Sequence, residues 1–197
     1  VLVVSLAIVV GGPLPLLPLQ ILFLNLVTDV FPALALGVGP GRPSSMRRSP
    51  RPASERILMR RHWIEIALYG AIMACVVLAA MSISLFFLAF EEQRAVTVAF
   101  CTLATAQLWH VFNMRGNLKR LVNHEIVRNP WIWLALALCF VLIFAAVYVP
   151  VLRDVMRLTD PGPMGWLLVF VASLIPLGAA PIVRLIARLG SASTATL

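Results

Sequence analysis

Hydrophobic residues come in long blocks along this chain, and polar residues collect in the gaps. Apolar runs cover 16–38, 63–90, 95–114, 130–149 and 165–189. A helix rises 1.5 Å per residue, so about 20 apolar residues cross a hydrocarbon core of about 30 Å. Each run is long enough to be a complete membrane span. Val1–Val10 is equally apolar, but at that rise it reaches only about 15 Å. It reads as the end of a span that begins upstream, which makes the chain a C-terminal piece of something longer. Gly11-Gly12-Pro13-Leu14-Pro15 then breaks the helix. The predicted fold is all-α: a polytopic transmembrane helix bundle of five full spans plus the end of a sixth.

Two spans depart from pure hydrocarbon. The first carries Asn25-Leu26-Val27-Thr28-Asp29-Val30-Phe31-Pro32, and Asp29 is its only acid. A carboxylate at the centre of a membrane helix costs about 2.5–3.5 kcal/mol on insertion scales, so such a residue marks a functional site by default. Asn25, Thr28 and Asp29 fall at i, i+3 and i+4 and share one helical face. Pro32 has no N–H, so the Thr28 carbonyl loses its i+4 donor. An amide, a hydroxyl, a carboxylate and a free carbonyl near one point form an oxygen set that suits a hard cation. The residues leave a second reading open, a Pro-kinked helix whose Asp pairs with a polar group on a neighbouring span.

The other polar span is 95–114, with Thr97, Thr102, Thr105, Gln107, His110 and Asn113. Hydroxyls in a span often bond the preceding turn or a neighbouring helix. His110 has no second His or Cys at ligand spacing and reads as a packing residue. Cys75, Cys101 and Cys139 all lie in apolar runs and read as buried free thiols. Glu65 is within a turn of the boundary marked by Trp63 and reads as interfacial.

Composition agrees with the pattern. The 197 residues are 61% hydrophobic and 12% charged, against about 45–50% and about 25% for soluble domains. The net charge of +8 invites a nucleic-acid reading, which the placement of the charges rejects. The connector 39–62 holds Arg42, Arg47, Arg48, Arg51, Arg56, Arg60 and Arg61 against Glu55, and 115–129 holds Arg115, Lys119, Arg120 and Arg128 against Glu125. The opposite side has Arg94, Arg153 and Arg157. The positive-inside rule therefore places the two basic connectors and the C-terminus in the cytoplasm. The first connector also suits anionic lipid head groups. The segment 152–163, with Arg153, Asp154, Arg157 and Asp160, reads as a turn between the last two spans, and Pro176 and Pro181 are expected to bend the last one.

No phosphate-binding Gly-rich loop and no nucleophile–His–acid set is legible, and the connectors are too short to hold a nucleotide. Taken by itself, the chain is not expected to catalyse hydrolysis.

From Leu17 to Asp29 the sequence Leu-Pro-Leu-Gln-Ile-Leu-Phe-Leu-Asn-Leu-Val-Thr-Asp resembles the sixth transmembrane helix of P-type cation-transporting ATPases, above all calcium pumps and their bacterial relatives. Phe31-Pro32-Ala33-Leu34-Ala35-Leu36-Gly37 and Met46-Arg47-Arg48-Ser49-Pro50 extend the likeness, and the stretch from Trp166 to Pro176 resembles the start of the family's tenth helix. The resemblance covers essentially the whole chain, as the end of helix five (1–10) and helices six to ten. It implies that Asn25, Thr28 and Asp29 coordinate a transported cation, with calcium the expected ion. Gln107 stands where two-ion calcium pumps carry a Glu on helix eight, which is similar to the plasma-membrane type that binds one calcium. Val30 replaces a Gly that often follows the Asp, so unwinding there rests on Pro32. The resemblance further implies that ATP and Mg act only through cytoplasmic domains upstream, in the same pump, and that the setting is a bacterial plasma membrane. The sequence leaves two alternatives open: a small carrier, channel or anchor without ATP coupling, and a P-type pump for another cation.

Overall fold

The computed structural model describes residues 2–11, 13–38, 60–113 and 129–192. The expectations for most of the basic connectors, including Met46–Pro50, and for the C-terminal tail lie outside these residues. Helix α1 covers Leu2–Val10. Helix α2 (Pro18–Leu24) passes through a π-helical turn (Asn25–Val30) into α3 (Phe31–Val38). Then come α4 (Arg60–Phe86), α5 (Glu92–His110) with a closing 3-10 turn at Val111–Asn113, α6 (Pro130–Tyr148), α7 (Pro150–Met156), α8 (Gly162–Gly178) and α9 (Ala180–Ala192). No described residue is in a strand.

Five helical stretches are long and apolar enough to cross a membrane: Pro18–Val38, His62–Phe86, Glu92–Asn113, Pro130–Tyr148 and Gly162–Ala187. The least apolar of them is the most buried. Glu92–Asn113 has a mean hydropathy of 1.4 and is 78% buried, whereas the other four lie at 2.0–2.5 and 28–33%. In lipid the most hydrophobic helices face outward and the polar one goes inside, where its groups find partners. The small residues Ala95, Ala99, Thr102 and Ala106 are buried along α5 and let neighbouring backbones come close. Helix α5 packs on α4, α6 and α8, and α3 lies along α6. Trp63, Trp131 and Trp133 are exposed near span ends, as expected of interfacial anchors.

Three expectations change. The segment 152–163 is not simply a turn, because Pro150–Met156 is helical. Pro150 fits the first helical position, and Arg157 ends the helix in the left-handed region at φ 53°. A two-turn helix is too short to show as a period in sequence. The third span starts earlier than the apolar run 95–114, because Gln93 and Arg94 belong to the first turn of α5. Cys75 is exposed on α4, unlike the buried Cys101 and Cys139. The bend in the last span is present: α8 stops at Gly178 and α9 restarts at Ala180, between the two prolines. The Asn113 side-chain amide donates to the Pro176 carbonyl there, at 3.3 Å.

Polar side chains pin the connection between α6 and α8 to the rest of the bundle. Gln20 Nε2 donates to the Met156 carbonyl (2.9 Å) and Gln93 Nε2 to that of Arg157 (3.2 Å). The Thr159 N–H donates to Thr97 Oγ1 (3.0 Å), and Arg94 donates twice to the Pro161 carbonyl (2.8 and 3.1 Å) while lying over the Phe90 ring. Each closes a backbone carbonyl or amide of that connection.

Candidate functional site

The first span starts at Pro18, whose missing N–H is no loss at a helix start. It widens at one place only among the described residues, the six residues Asn25–Val30. In a π turn the N–H of residue i reaches the carbonyl of i−5 instead of i−4, and such turns are frequent at functional sites. The widened turn coincides with the Asn-Leu-Val-Thr-Asp-Val stretch. Sequence reasoning placed an irregularity there through Pro32. The structure shows it as a wider turn that stays helical, not as an unwound segment.

Thr28 is buried, and its hydroxyl donates to the Leu24 carbonyl at 2.9 Å. The same oxygen stands 3.4 Å from Asp29 Oδ1. Asn25 and Asp29 are exposed on the open side of the span. Asn25 and Gln107, 82 positions apart, line one open pocket of about 280 Å³, bordered by Leu2, Val3 and Val4 of α1 and by Gly70 and Met73 of α4. Gln107 Oε1 is buried and has no hydrogen-bond partner among the described residues. An unpaired amide oxygen away from water is unfavourable. Thr28 and Asp29 do not line this pocket. The structure therefore brings Asn25 to Gln107 and Thr28 to Asp29 as two neighbouring pairs, joined through one turn.

Pro32 leaves one carbonyl of the preceding turn without its helical donor: Thr28 in the α register, Val27 in the π register. The Val27 carbonyl accepts from the Cys139 thiol of α6 at 3.1 Å. Sequence reasoning missed Cys139 because nothing local links it to a residue 112 positions earlier.

His110 packs edge-on against the Tyr69 ring, 4.5 Å between centroids, and lies 3.5 Å from the Asn113 amide. That is the packing role expected of it. Among the described residues no three His, Cys, Asp or Glu side chains are grouped to hold a metal. Any cation site here would be built mainly from amide, hydroxyl and carbonyl oxygens with a single carboxylate.

A helical bundle with five apolar spans, its polar helix innermost and an oxygen-lined turn at mid-span is an integral membrane protein. Residues 13–186 match the family described as "Cation transporting ATPase, C-terminus", and the chain belongs to it. It is 32% identical over 176 residues to the calcium-transporting ATPase of Bacillus subtilis (strain 168), covering 89% of this chain and 20% of that protein. It is 29% identical over 202 residues to the calcium-transporting ATPase 1 of Bacillus cereus (strain ATCC 10987 / NRS 248), covering 94% of this chain and 22% of that protein. A shorter match, 46% over 63 residues, is to the P-type sodium-transporting ATPase4 of Plasmodium falciparum (isolate 3D7), covering 32% of this chain and 5% of that protein. The chain spans about a fifth of the length of the two bacterial relatives.

Proposed function

We propose that this chain forms part of the ion-translocation domain of an ATP-driven P-type cation pump, with calcium as the transported ion. The observation that carries the reading is the widened turn at Asn25–Val30. It sets an amide, a hydroxyl and a carboxylate on one segment, beside the unpartnered oxygen of Gln107. Asn25, Thr28, Asp29 and Gln107 hold the ion, and Pro32 keeps the turn from closing into a regular helix. Asn25 and Asp29 face the open side of the span, which upstream helices of the same pump would complete. ATP and Mg act through upstream cytoplasmic domains. The match of most of the chain to bacterial proteins named as calcium transporters supports the ion and a bacterial plasma membrane. The Arg and Lys distribution supports cytoplasmic basic connectors and a cytoplasmic C-terminus.

The test uses the full-length protein that carries this chain. Membranes containing it are given ATP, and the acyl-phosphate formed on the protein is measured against calcium and against sodium. Phosphorylation that saturates with calcium supports the proposal. Sodium dependence supports the second reading, a P-type pump for another cation, which the 63-residue match to a sodium-transporting ATPase favours. No phosphorylation with either ion, together with ATP-independent transport by this chain in vesicles, overturns both.

A further inference from the structure

We propose that Cys139 is a positioning residue for the ion site: its thiol holds the Val27 carbonyl that Pro32 leaves open, and so fixes the width of the turn that carries Thr28 and Asp29. The inference rests on the site reading above and adds a residue on another span.

Three observations support it. Val27 and Cys139 are both fully buried, at 0% exposure, so water cannot take the place of the thiol. Pro32, five residues after Val27, brings no N–H to that carbonyl. The Sγ–O separation is 3.1 Å, close for a weak sulfur donor. Cys139 lies on the buried face of α6 with Ile132 and Ile143, and α6 packs along the turn and α3. The donor is therefore carried by a helix wedged beside the turn and not by a loop. Without it the Val27 carbonyl has two ways to find a partner: tightening of the turn or a shift of the span. Either movement displaces the Thr28 hydroxyl and the Asp29 carboxylate, which follow Val27 directly in sequence.

The experiment is cation-dependent phosphorylation of the full-length protein carrying Cys139→Ala, Cys139→Ser, Pro32→Ala, or Pro32→Ala with Cys139→Ala, with Asp29→Asn as the reference for the site. Cys139→Ala is expected to raise the half-saturating cation concentration about three- to tenfold, the range of one net hydrogen bond, with the maximal phosphorylation level kept. Cys139→Ser keeps a donor and restores wild-type affinity. Pro32→Ala supplies a backbone N–H, so adding Cys139→Ala to it moves the affinity less than about twofold, the non-additivity expected of groups that share a partner. In infrared difference spectra, the S–H stretch assigned by Cys139→Ser lies below that of the exposed Cys75. Loss of ion dependence in Asp29→Asn with no affinity shift in Cys139→Ala overturns this inference and leaves the site standing. Retained ion dependence in Asp29→Asn overturns both. Equal loss of affinity in the Ala and Ser variants, or full additivity with Pro32→Ala, shows that Cys139 acts by volume and also overturns it.

Discussion

Gln20 Nε2 donates to the Met156 carbonyl at 2.9 Å, across 136 positions of sequence, and Gln20 Oε1 accepts from the Leu17 N–H at 3.0 Å. The side chain is fully buried. One amide thus caps the start of the first span and ties it to α7. Gln20→Leu leaves both a carbonyl and an N–H unpaired, each with a penalty of about 1–3 kcal/mol. The expected outcome is a clear fall in the thermal midpoint in detergent, with Gln20→Glu intermediate. An unchanged midpoint would show that lipid or detergent head groups reach both groups.

Gln107 predicts the opposite balance between stability and binding. Its Oε1 has no partner among the described residues, so Gln107→Leu removes an unsatisfied buried oxygen. Stability is expected to hold or rise by about 1 kcal/mol, because an unpaired buried acceptor is lost. Half-saturating cation in the full-length protein is expected to rise about tenfold, comparable to a hydrogen bond to a charged group. Lower stability with unchanged ion affinity would make Gln107 a packing residue.

Asp29 and Thr28 are expected to differ in degree. Asp29→Asn removes the only carboxylate of the turn and is expected to abolish ion-dependent phosphorylation. Thr28→Ala removes a hydroxyl that already donates to the Leu24 carbonyl, leaving its lone pairs for an ion. Its affinity loss is expected at about tenfold. Radioactive calcium binding to the detergent-purified protein checks both, and an equal effect of the two substitutions would count against unequal roles.

Gly162 adopts φ +66°, and a Cβ there would run into the Arg94 guanidinium. That guanidinium is held by the Pro161 carbonyl, so it has little freedom to yield. Gly162→Ala should cost about 1–2 kcal/mol from the left-handed backbone alone. The thermal midpoints of Gly162→Ala, Arg94→Ala and the double variant measure the collision separately: a loss in the double variant smaller than the sum of the two single losses is the expected result.

Much of the fold was legible because lipid imposes a simple rule. Every backbone polar group must be satisfied within a helix, so apolar length alone marks Pro18–Val38 or Pro130–Tyr148 as spans. Helix α7 was not legible, since two turns with Arg153 and Asp154 carry no apolar period. The outward side of Cys75 was not legible either, because α4 is apolar all round and its sequence does not say which face packs.

At the candidate site, local spacing determined what one turn can contain. Asn25, Thr28, Asp29 and Pro32 are neighbours by helical geometry, and the need to house a carboxylate in a membrane segment follows from solvation alone. Tertiary structure decided the rest: the meeting of Asn25 with Gln107 in one pocket, the closure of the Val27 carbonyl by Cys139, and the central place of α5. These depend on which helices pack together. Spans that are equally apolar to lipid are sorted by small residues and buried polar partners, and such pairings lie many tens of residues apart, beyond any local period.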